Sequence, residues 1–366
     1  MFVLSLSERR IGRIPVRNLW LLMLYASELT RSGPAFNATI EDDADELPDL
    51  IARLLANAVE CKLSRNLTRG YRDRDAVLTR VRGRINILTT ETRGLLARAE
   101  VSCRFEELTI DTPRNRLVRA ALDVMARLVD SKGLAHRCRR LATNLALMGI
   151  GGVRPTRAEL TADQFGRNDA ADRQMIALAR LAFDMALPTE DPGPTALTSP
   201  SREEVWVRHL SEKAVLGFAR VELEPLGWSV RGSITLKWQI TSASDGLAAV
   251  LPAMRTDIVL DPPDRRGRVV VDTKFTSILQ AGRFGDLRLK SGYLYQMYAY
   301  LRSQEGRDTR WDQAAGLVLH PAIDGAVQEK VVIQNHPITF ATFDLGASTA
   351  EIRRALRTIL LESPCA

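Results

Sequence analysis

The spacing of apolar residues divides the first half of the chain mainly into helices. In four segments, apolar side chains recur every three or four residues, as on the buried face of an amphipathic helix. These segments are 16–29, 47–63, 114–129 and 173–186. Partial alternation of apolar and polar residues, with β-branched side chains, predicts strands in 77–88 and 99–110. The first half is therefore predicted to be a helix-rich α+β domain.

The second half has a different pattern, in which short β-branched runs outnumber the helical stretches. Helical spacing predicts helices at 203–221, 291–302 and 347–361. Short apolar runs predict strands at 234–240, 255–260, 268–275, 316–320 and 330–334. Elements in this order predict an α/β fold in which helices flank a mixed sheet.

A proline-rich segment separates the two halves. Four prolines within residues 187–201 interrupt any helix or central strand there. We therefore predict an N-terminal domain at 1–187, a linker at 188–202 and a C-terminal domain at 203–366. A chain of 366 residues is long enough for two domains, since single domains commonly have roughly 100–200 residues.

Composition and charge describe a folded protein and narrow its class only slightly. The chain is 45% hydrophobic and 26% charged, which is typical of globular proteins. The apolar run at 19–26 is far shorter than the ~20 residues of a membrane span and has no signal-peptide cleavage pattern, so a cytoplasmic protein without membrane association is expected. The net charge of +7 favours a polyanionic partner such as nucleic acid, although it also serves solubility. Four scattered cysteines predict neither disulfides nor structural zinc.

Candidate chemistry surrounds a predicted hairpin in the second half. Two predicted strands flank DPPDRRG, a loop rich in proline, glycine and charge. Symmetric pairing about this loop places Leu260 opposite Val269 and Asp257 opposite Asp272. Directly opposed residues have Cβ atoms about 4.5–5.5 Å apart, where like charges destabilise the pair unless they are compensated. The two carboxylates therefore predict a site for Mg²⁺, with Mn²⁺ as a substitute.

A lysine and a following helix extend this pattern. Lys274 lies two residues after Asp272, so strand periodicity places both side chains on one face, with Thr273 pointing the other way. A lysine beside a divalent cation can orient water and stabilise charge on a phosphodiester, which predicts nuclease chemistry. Gln296 and Tyr300, one helical turn apart, are placed to hydrogen-bond DNA phosphates or the strands. Surface acids on an ordinary hairpin and plain helix-to-sheet packing are the alternatives, because an isolated D-x-K is common.

The run Val269–Val271 before these residues predicts a strand buried on both faces, which would hold the carboxylates rigidly. TD…VVVDTK followed by LYQMYAY resembles the PD-(D/E)xK nuclease core with the Q-x-x-x-Y helix of its RecB-like branch. IPVRNLWLLMLYA, RGRI and LTIDTPRNRLVRAAL resemble signatures of the McrC family, the nuclease subunits of McrBC restriction systems for modified DNA. Their order is kept from about Ile14 to Leu361.

The resemblance implies a restriction-endonuclease-like sheet in the C-terminal domain and a role for each matching residue. It implies that Asp257 and Asp272 are metal ligands and Lys274 the catalytic lysine, while Gln296 and Tyr300 match the helix motif.

The sequence departs from the family pattern at two places. Glu212 in LSEKAV matches the third metal ligand, although Ser211 stands where the family often has an aromatic residue. Arg255-Thr256 precedes Asp257 where the family name has proline. Two other acids near the start of this helix, Glu203 and Glu204, simply favour a helix N-terminus.

The function implied by the resemblance is that of a Mg²⁺-dependent endonuclease subunit that cleaves double-stranded, methylated DNA. Its partner would be an McrB-like AAA+ GTPase, on which the N-terminal domain docks and whose GTPase it stimulates. Paired nuclease subunits would serve double-strand cleavage. The chain has no G-x-x-x-x-G-K-[ST] phosphate loop, which fits that division of labour. The segment 80–84 is a candidate contact with the partner, with DNA, or with solvent. The alternative is a non-catalytic adaptor that docks on an NTPase and binds DNA.

Overall fold

The chain forms two compact units. The computed structural model describes residues 10–11, 14–27, 29, 47–163, 170–187, 200–264, 266–274, 279–281, 287–322 and 327–362. One unit combines Met1–Leu47 with Asp184–Ala366, and the other is Pro48–Phe183. The second division lies near the linker predicted at 188–202, of which 188–199 fall outside the described residues. The first 47 residues group with the C-terminal part, whereas the predicted N-terminal domain contained them.

The combined unit begins with a short hairpin and a buried helix. Strands β1 (Arg10–Ile11) and β2 (Ile14–Pro15) pair antiparallel, and helix α1 follows as Val16–Ala26. All of α1 is buried except Arg17 and Ala26, as expected for a helix that is apolar on every side. In the part of the chain that the structure describes, no helix is long and apolar enough to cross a membrane.

The unit Pro48–Phe183 contains an antiparallel sheet and several helices. Its elements, some of which reach slightly beyond its limits, are α2 (Leu47–Ser64), β3 (Gly70–Leu78), β4 (Arg84–Ile85), α3 (Ile87–Thr92), β5 (Val101–Thr109), α4 (Pro113–Leu128), α5 (Lys132–Leu147), α6 (Arg157–Ala162) and α7 (Ala170–Ala186). The sheet order is β3-β5-β4.

Strand β3 differs from the prediction, which placed a strand at 77–88. The strand occupies Gly70–Leu78 and consists largely of exposed charged residues, so it has no apolar alternation to detect. Cross-strand ion pairs replace apolar pairs along it: the Arg104 guanidinium binds Asp75 at 3.0 Å, and Arg74 binds Glu107 at 2.8 Å.

The segment LTIDTPRNR, which resembles a family signature, has a structural role in this unit. Thr112 caps α4 by accepting a hydrogen bond from the Asn115 amide. The buried Arg114 guanidinium pairs with Asp163 at 2.6 Å and with Asp172 at 3.4 Å. These contacts tie the start of α4 to the loop before α7 and to α7 itself.

The remaining elements of the combined unit build a mixed sheet. They are α8 (Pro200–Leu223), β6 (Ser229–Gly232), β7 (Thr235–Leu236), α9 (Leu247–Val250), β8 (Met254–Arg255), β9 (Ile258–Asp261), β10 (Arg268–Thr273), β11 (Leu279–Ala281), β12 (Leu287–Leu289), α10 (Ser291–Arg302), α11 (Thr309–Asp312), β13 (Ala314–Ala322), β14 (Gln328–Ile333), β15 (His336–Asp344) and α12 (Thr349–Glu362). The six-stranded sheet has the order β14-β15-β13-β10-β9-β6. The pairs β10–β13 and β13–β15 are parallel and the others antiparallel, which confirms the predicted mixed α/β sheet.

The centre of this sheet is buried. All six residues of β10 are buried, as predicted for Val269–Val271. Helix α10 packs over the sheet closely enough that a Cβ on Gly316 would lie 2.5 Å from Met297 Cγ. The predicted strand 234–240 was wrong beyond Thr235–Leu236, which pair with β8. The next backbone carbonyl, that of Lys237, instead accepts hydrogen bonds from the side chains of Gln304 and Arg307.

Helix α8 contacts α1 backbone to backbone. A Cβ on Gly217 would lie 1.7 Å from the Tyr25 carbonyl oxygen, so only glycine fits there. The adjacent Phe218 ring meets the Tyr25 ring edge-on, with centroids 5.1 Å apart. This contact is the physical reason that the N-terminal segment belongs to the same unit as the C-terminal part.

Candidate active site

The predicted acids and lysine lie at one end of the β9–β10 hairpin. Leu260 pairs with Val269, as predicted, and the pairing continues to Ile258 and Val271. Asp257 directly precedes β9, so it lies just beyond the last paired residues.

Asp272 and Lys274 form a close ion pair at the end of β10. Lys274 Nζ lies 2.8 Å from Asp272 Oδ2, and the two side chains are only 13% and 3% exposed. The Lys274 backbone N–H donates to the Leu319 carbonyl at 2.9 Å, which fixes the chain to β13. The side chains of Asp272 and Lys274 therefore lie on one face of the strand, as predicted.

Asp257 contacts Thr273. Its Oδ2 accepts a hydrogen bond from the Thr273 backbone N–H at 2.7 Å and another from the Thr273 hydroxyl at 3.0 Å. Because Thr273 directly follows Asp272, this contact also keeps Asp257 next to the end of β10. The contact holds one carboxylate oxygen of Asp257 in a fixed place.

The electrostatics of the site centre on Asp272. Burial raises the pKa of this carboxyl to about 6, against the opposing effect of the Lys274 ammonium. The negative charges of Asp257 and Glu212 raise the same pKa further. Asp257 and Glu212 are thus each near enough to Asp272 to repel its negative charge.

Helix α10 packs on the sheet and donates hydrogen bonds to the strands of the site. The Gln296 side-chain amide donates to the Tyr300 hydroxyl at 2.5 Å and approaches Asp272 Oδ1 at 3.5 Å. The Tyr300 hydroxyl in turn donates to the Arg255 carbonyl at 2.7 Å. Tyr300 is 5% exposed, so of the two predicted uses of this pair the structure favours contact with the strands over contact with DNA phosphates.

Glu212 lies beside this group on helix α8. It lines a small cavity together with Thr273 and Lys274. Its carboxylate pairs with Arg208 at 3.3 Å and with His209 at 3.5 Å. The side chains of Glu203 and Glu204 fall outside the described residues.

The donor set fits a hard divalent cation in its chemistry. Asp257 and Asp272 offer carboxylate oxygens, which Mg²⁺ binds while it keeps water or phosphate oxygens in its other positions. Within the described ranges, no three His, Cys, Asp or Glu side chains converge as a complete ligand set. Glu212 is close, but its carboxylate contacts Arg208 and His209, and its role as a third ligand stays a prediction.

Sequence reasoning missed Tyr293, which also belongs to this site. Its ring centroid lies 5.6 Å from Lys274 Nζ and 5.4 Å from the ring centroid of His320. Tyr293, Gln296 and Tyr300 follow helical spacing along one face of α10, and that spacing was the available signal.

Replacing Tyr300 by phenylalanine tests the support that α10 gives to the strands. The hydroxyl accepts from Gln296 and donates to the Arg255 carbonyl, two residues before Asp257, so its loss should loosen this acid. For the predicted Mg²⁺ site we expect about a 10- to 100-fold weaker affinity, the usual cost of losing a side chain that positions the metal ligands. Calorimetric titration with Mg²⁺ measures it, with the exposed Tyr295→Phe as the matched control. An unchanged affinity would contradict the assigned role.

Comparison with known proteins adds to the geometry. A family model described as McrBC 5-methylcytosine restriction system component matches residues 5–193. The chain is 25% identical over 351 residues to the type IV methyl-directed restriction enzyme EcoKMcrBC of Escherichia coli (strain K12), covering 95% of this chain and 98% of that protein.

Two solved structures from Thermococcus gammatolerans are also similar. One is a half-complex of McrB AAA+ hexamers with bound McrC, at 13% identity and a TM-score of 0.44, covering 94% of this chain and 75% of that one. The other is an McrBC complex, at 18% identity and a TM-score of 0.32, covering 49% and 59% of the two chains.

Proposed function

Because the chain belongs to the family of McrBC 5-methylcytosine restriction system components, we propose that it is the DNA-cleaving subunit of such a system. The observation that carries the proposal is the ion pair of Lys274 with the buried Asp272, beside Asp257 and at the end of a buried strand. The family match ends at residue 193, before these residues, so the assignment of cleavage to them rests on their geometry and on the PD-(D/E)xK resemblance.

The chemistry follows from the side chains that meet at this site. Asp257 and Asp272 would hold Mg²⁺, with Glu212 as the candidate third ligand and Mn²⁺ as a substitute. When bound, the cation polarises the phosphodiester and lowers the pKa of a bound water. Lys274 keeps an ammonium beside the reacting phosphate and stabilises the negative charge that develops on it. Thr273, Gln296 and Tyr300 keep the acids in place and exclude water from the buried side of the site.

The same site implies a fold, a DNA substrate and a protein partner. The mixed sheet with α8 and α10 is proposed as a restriction-endonuclease-like core acting on double-stranded, methylated DNA. An McrB-like AAA+ GTPase is the proposed partner, in keeping with a family of restriction system components. The unit Pro48–Phe183 and the preceding N-terminal segment are proposed to dock on that partner and stimulate its GTPase. Pairing of two nuclease subunits is proposed for double-strand cleavage.

Lys274→Met tests the proposed function. Methionine keeps most of the volume of the lysine stem and removes the ammonium, so we expect cleavage by the complex to fall by about 10²–10³-fold. Stimulation of the partner's GTPase should be unchanged, because that role is assigned to other residues. The measurement is cleavage of methylated duplex DNA by the purified chain with its GTPase partner, with Mg²⁺ and with a chelator.

Lys213→Met is a matched control, since Lys213 is an exposed lysine on α8. Cleavage that needs no divalent cation, or that survives Lys274→Met undiminished, would reject the proposal. A complex that never cleaves but in which this chain stimulates the GTPase would instead identify a non-catalytic adaptor.

A further inference from the structure

A second charged cluster lies at the other end of the β9–β10 hairpin. Asp261 ends β9 and is opposite Ser229, the first residue of the edge strand β6. Three guanidiniums surround its carboxylate, which is only 8% exposed, and they belong to Arg231, Arg268 and Arg310. None of these residues has a part in the proposed catalytic site.

Arg268 binds both oxygens of the Asp261 carboxylate. Its Nε lies 2.6 Å from Asp261 Oδ1 and its Nη2 lies 2.9 Å from Oδ2, which is the bidentate arrangement of an arginine and a carboxylate. The guanidinium of Arg268 is 4.4 Å from the centroid of the Trp311 ring, so it is held from both sides. Arg268 and Asp261 therefore form a complete, buried pair.

The other two arginines add positive charge that this ion pair does not neutralise. Arg231 binds Asp261 Oδ2 at 2.6 Å and Arg310 approaches the same oxygen at 3.4 Å, while Arg310 also binds Asp308 at 2.9 Å. Around Asp261 and Asp308, three guanidiniums face two carboxylates, which leaves an excess of one positive charge. Each guanidinium has five N–H donors, and Arg231 uses one of them on a described residue. An anion would relieve the repulsion and take up the remaining donors.

A cavity beside these arginines could hold that anion, and part of its lining is rigid. Arg231 and Arg310, which are 44% and 36% exposed, line a cavity of about 420 Å³. Two consecutive prolines, Pro262 and Pro263, form another wall. The Cβ that Gly227 lacks would lie 3.3 Å from Pro263, so the backbone approaches that wall closely. The cavity is therefore preformed and open to solvent on the arginine side.

From this arrangement we propose that Arg231 and Arg310 form a phosphate-binding pocket, and that its ligand is a phosphodiester of the DNA backbone. Guanidinium forks match the oxygens of a phosphate, and phosphate contacts position a protein on DNA without reading its sequence. Four residues of extended chain separate Asp257 from Asp261, which is about 13 Å at ~3.3 Å per residue. A duplex lying along β9, at ~3.4 Å per base pair, would place the bound phosphodiester about four base pairs from the one that is cleaved. This last step rests on the proposed function.

The test measures binding without cleavage. In a chelator, the salt dependence of duplex DNA binding is compared between the unaltered chain and the double variant Arg231→Gln with Arg310→Gln, by fluorescence anisotropy. We expect the double variant to bind about three- to tenfold more weakly near 50 mM salt, and the slope of log affinity against log salt to fall by about 1. Arg357→Gln is the matched control, because Arg357 is 59% exposed on α12 and lies 3.7 Å from Glu222. Its slope should change less.

A second arm identifies the source of the phosphate. Inorganic phosphate should raise the melting temperature of the unaltered chain above that in chloride of equal ionic strength, and the double variant should lose this protection. Lysines at the same two positions keep the charge but lose the fork, so an intermediate DNA affinity is expected. Because Arg268 still pairs with Asp261, both sets of variants should fold.

The outcomes separate this proposal from its rivals. An unchanged DNA slope with lost phosphate protection overturns the DNA contact and identifies a site for a free anion. No change in either arm overturns the pocket. Loss of assembly with the GTPase partner, at unchanged DNA affinity, overturns it in favour of a protein interface. Cleavage that is independent of Asp272 would reject the proposed function yet leave the result of the binding test unaffected.

Discussion

Replacing Asp272 by asparagine is expected to abolish DNA cleavage and, at the same time, to stabilise the metal-free protein. Cleavage should fall by at least about 10²–10³-fold, because a ligand to the cation and the partner of Lys274 is lost. The free energy of unfolding at neutral pH should rise by roughly 1–3 kcal/mol. Function and stability thus oppose each other at one side chain.

The sign of the stability effect follows from the pKa of Asp272. In the folded protein, burial raises this pKa to about 6 from an ordinary value of 3.8. The folded state therefore binds the proton more tightly than the unfolded state does, and stability falls as pH rises from about 4 to about 6. A difference of about two pKa units corresponds to roughly 3 kcal/mol, and the loss of the Lys274 ion pair in the variant offsets part of it. Asparagine has no charge to bury, so it avoids this cost.

Urea unfolding in a chelator, at neutral pH and near pH 4, measures this effect. The advantage of the variant should shrink at the lower pH, where the carboxyl of the unaltered chain is protonated. Added Mg²⁺ should stabilise the unaltered chain and not the variant, since only a ligand-bound folded state gains from binding. Asp245→Asn, at an exposed position, is the control and should change neither property. A variant that is less stable than the unaltered chain at neutral pH would show that Asp272 is held by compensating contacts.

Replacing Gly217 by alanine is expected to destabilise the unit that contains the candidate active site by about 3 kcal/mol or more. Gly217 lies inside helix α8, where glycine normally costs about 1 kcal/mol relative to alanine. An added methyl group would stand 1.7 Å from the Tyr25 carbonyl oxygen, so α1 and α8 must move apart. The loss of close packing between two helix backbones outweighs the gain in helix propensity.

Thermal and urea unfolding measure this loss, with Gly133→Ala as the matched control. Gly133 also lies in a helix, but a Cβ there meets nothing within 4 Å, so alanine should stabilise the protein by roughly 0.5–1 kcal/mol. Equal stability of the Gly217→Ala variant and the unaltered chain would mean that α1 does not rest on α8 in solution. Opposite signs for the two substitutions are the specific expectation.

Local patterns predicted the parts of the site that depend on neighbouring residues. The bounds of α10 match the predicted helix 291–302, and the hairpin register of Leu260 with Val269 follows from symmetry about its loop. The Lys274–Asp272 pair follows from strand periodicity. Such features need only the chain within about ten residues, so their signals are present in one sequence.

The features that were missed depend on distant residues or on unusual composition. Strand β3 is held by cross-strand charges rather than by an apolar face, so period-two alternation does not reveal it. Strand β15, His336–Asp344, was not predicted, although it is the parallel neighbour of β13. The contact between Tyr25 and Gly217 joins residues far apart in sequence, and no periodicity encodes it. The hydrogen bond from the Thr273 hydroxyl to Asp257 likewise has no signal in the sequence.

The separation of α1 from α8 along the chain has a consequence for synthesis. Helix α1 is made first, yet the helix that covers it follows roughly 190 residues later, which is about 10–40 s at the usual rates of translation. During that interval the intervening unit Pro48–Phe183, whose contacts lie within one continuous stretch, can fold by itself on the ribosome. Meanwhile α8, against which the apolar helix packs, has not yet been made, so the nascent chain carries an aggregation-prone segment that chaperones would shield. Slowing translation should therefore lower the yield of this protein more than that of a chain whose N-terminal helix packs on its immediate neighbours.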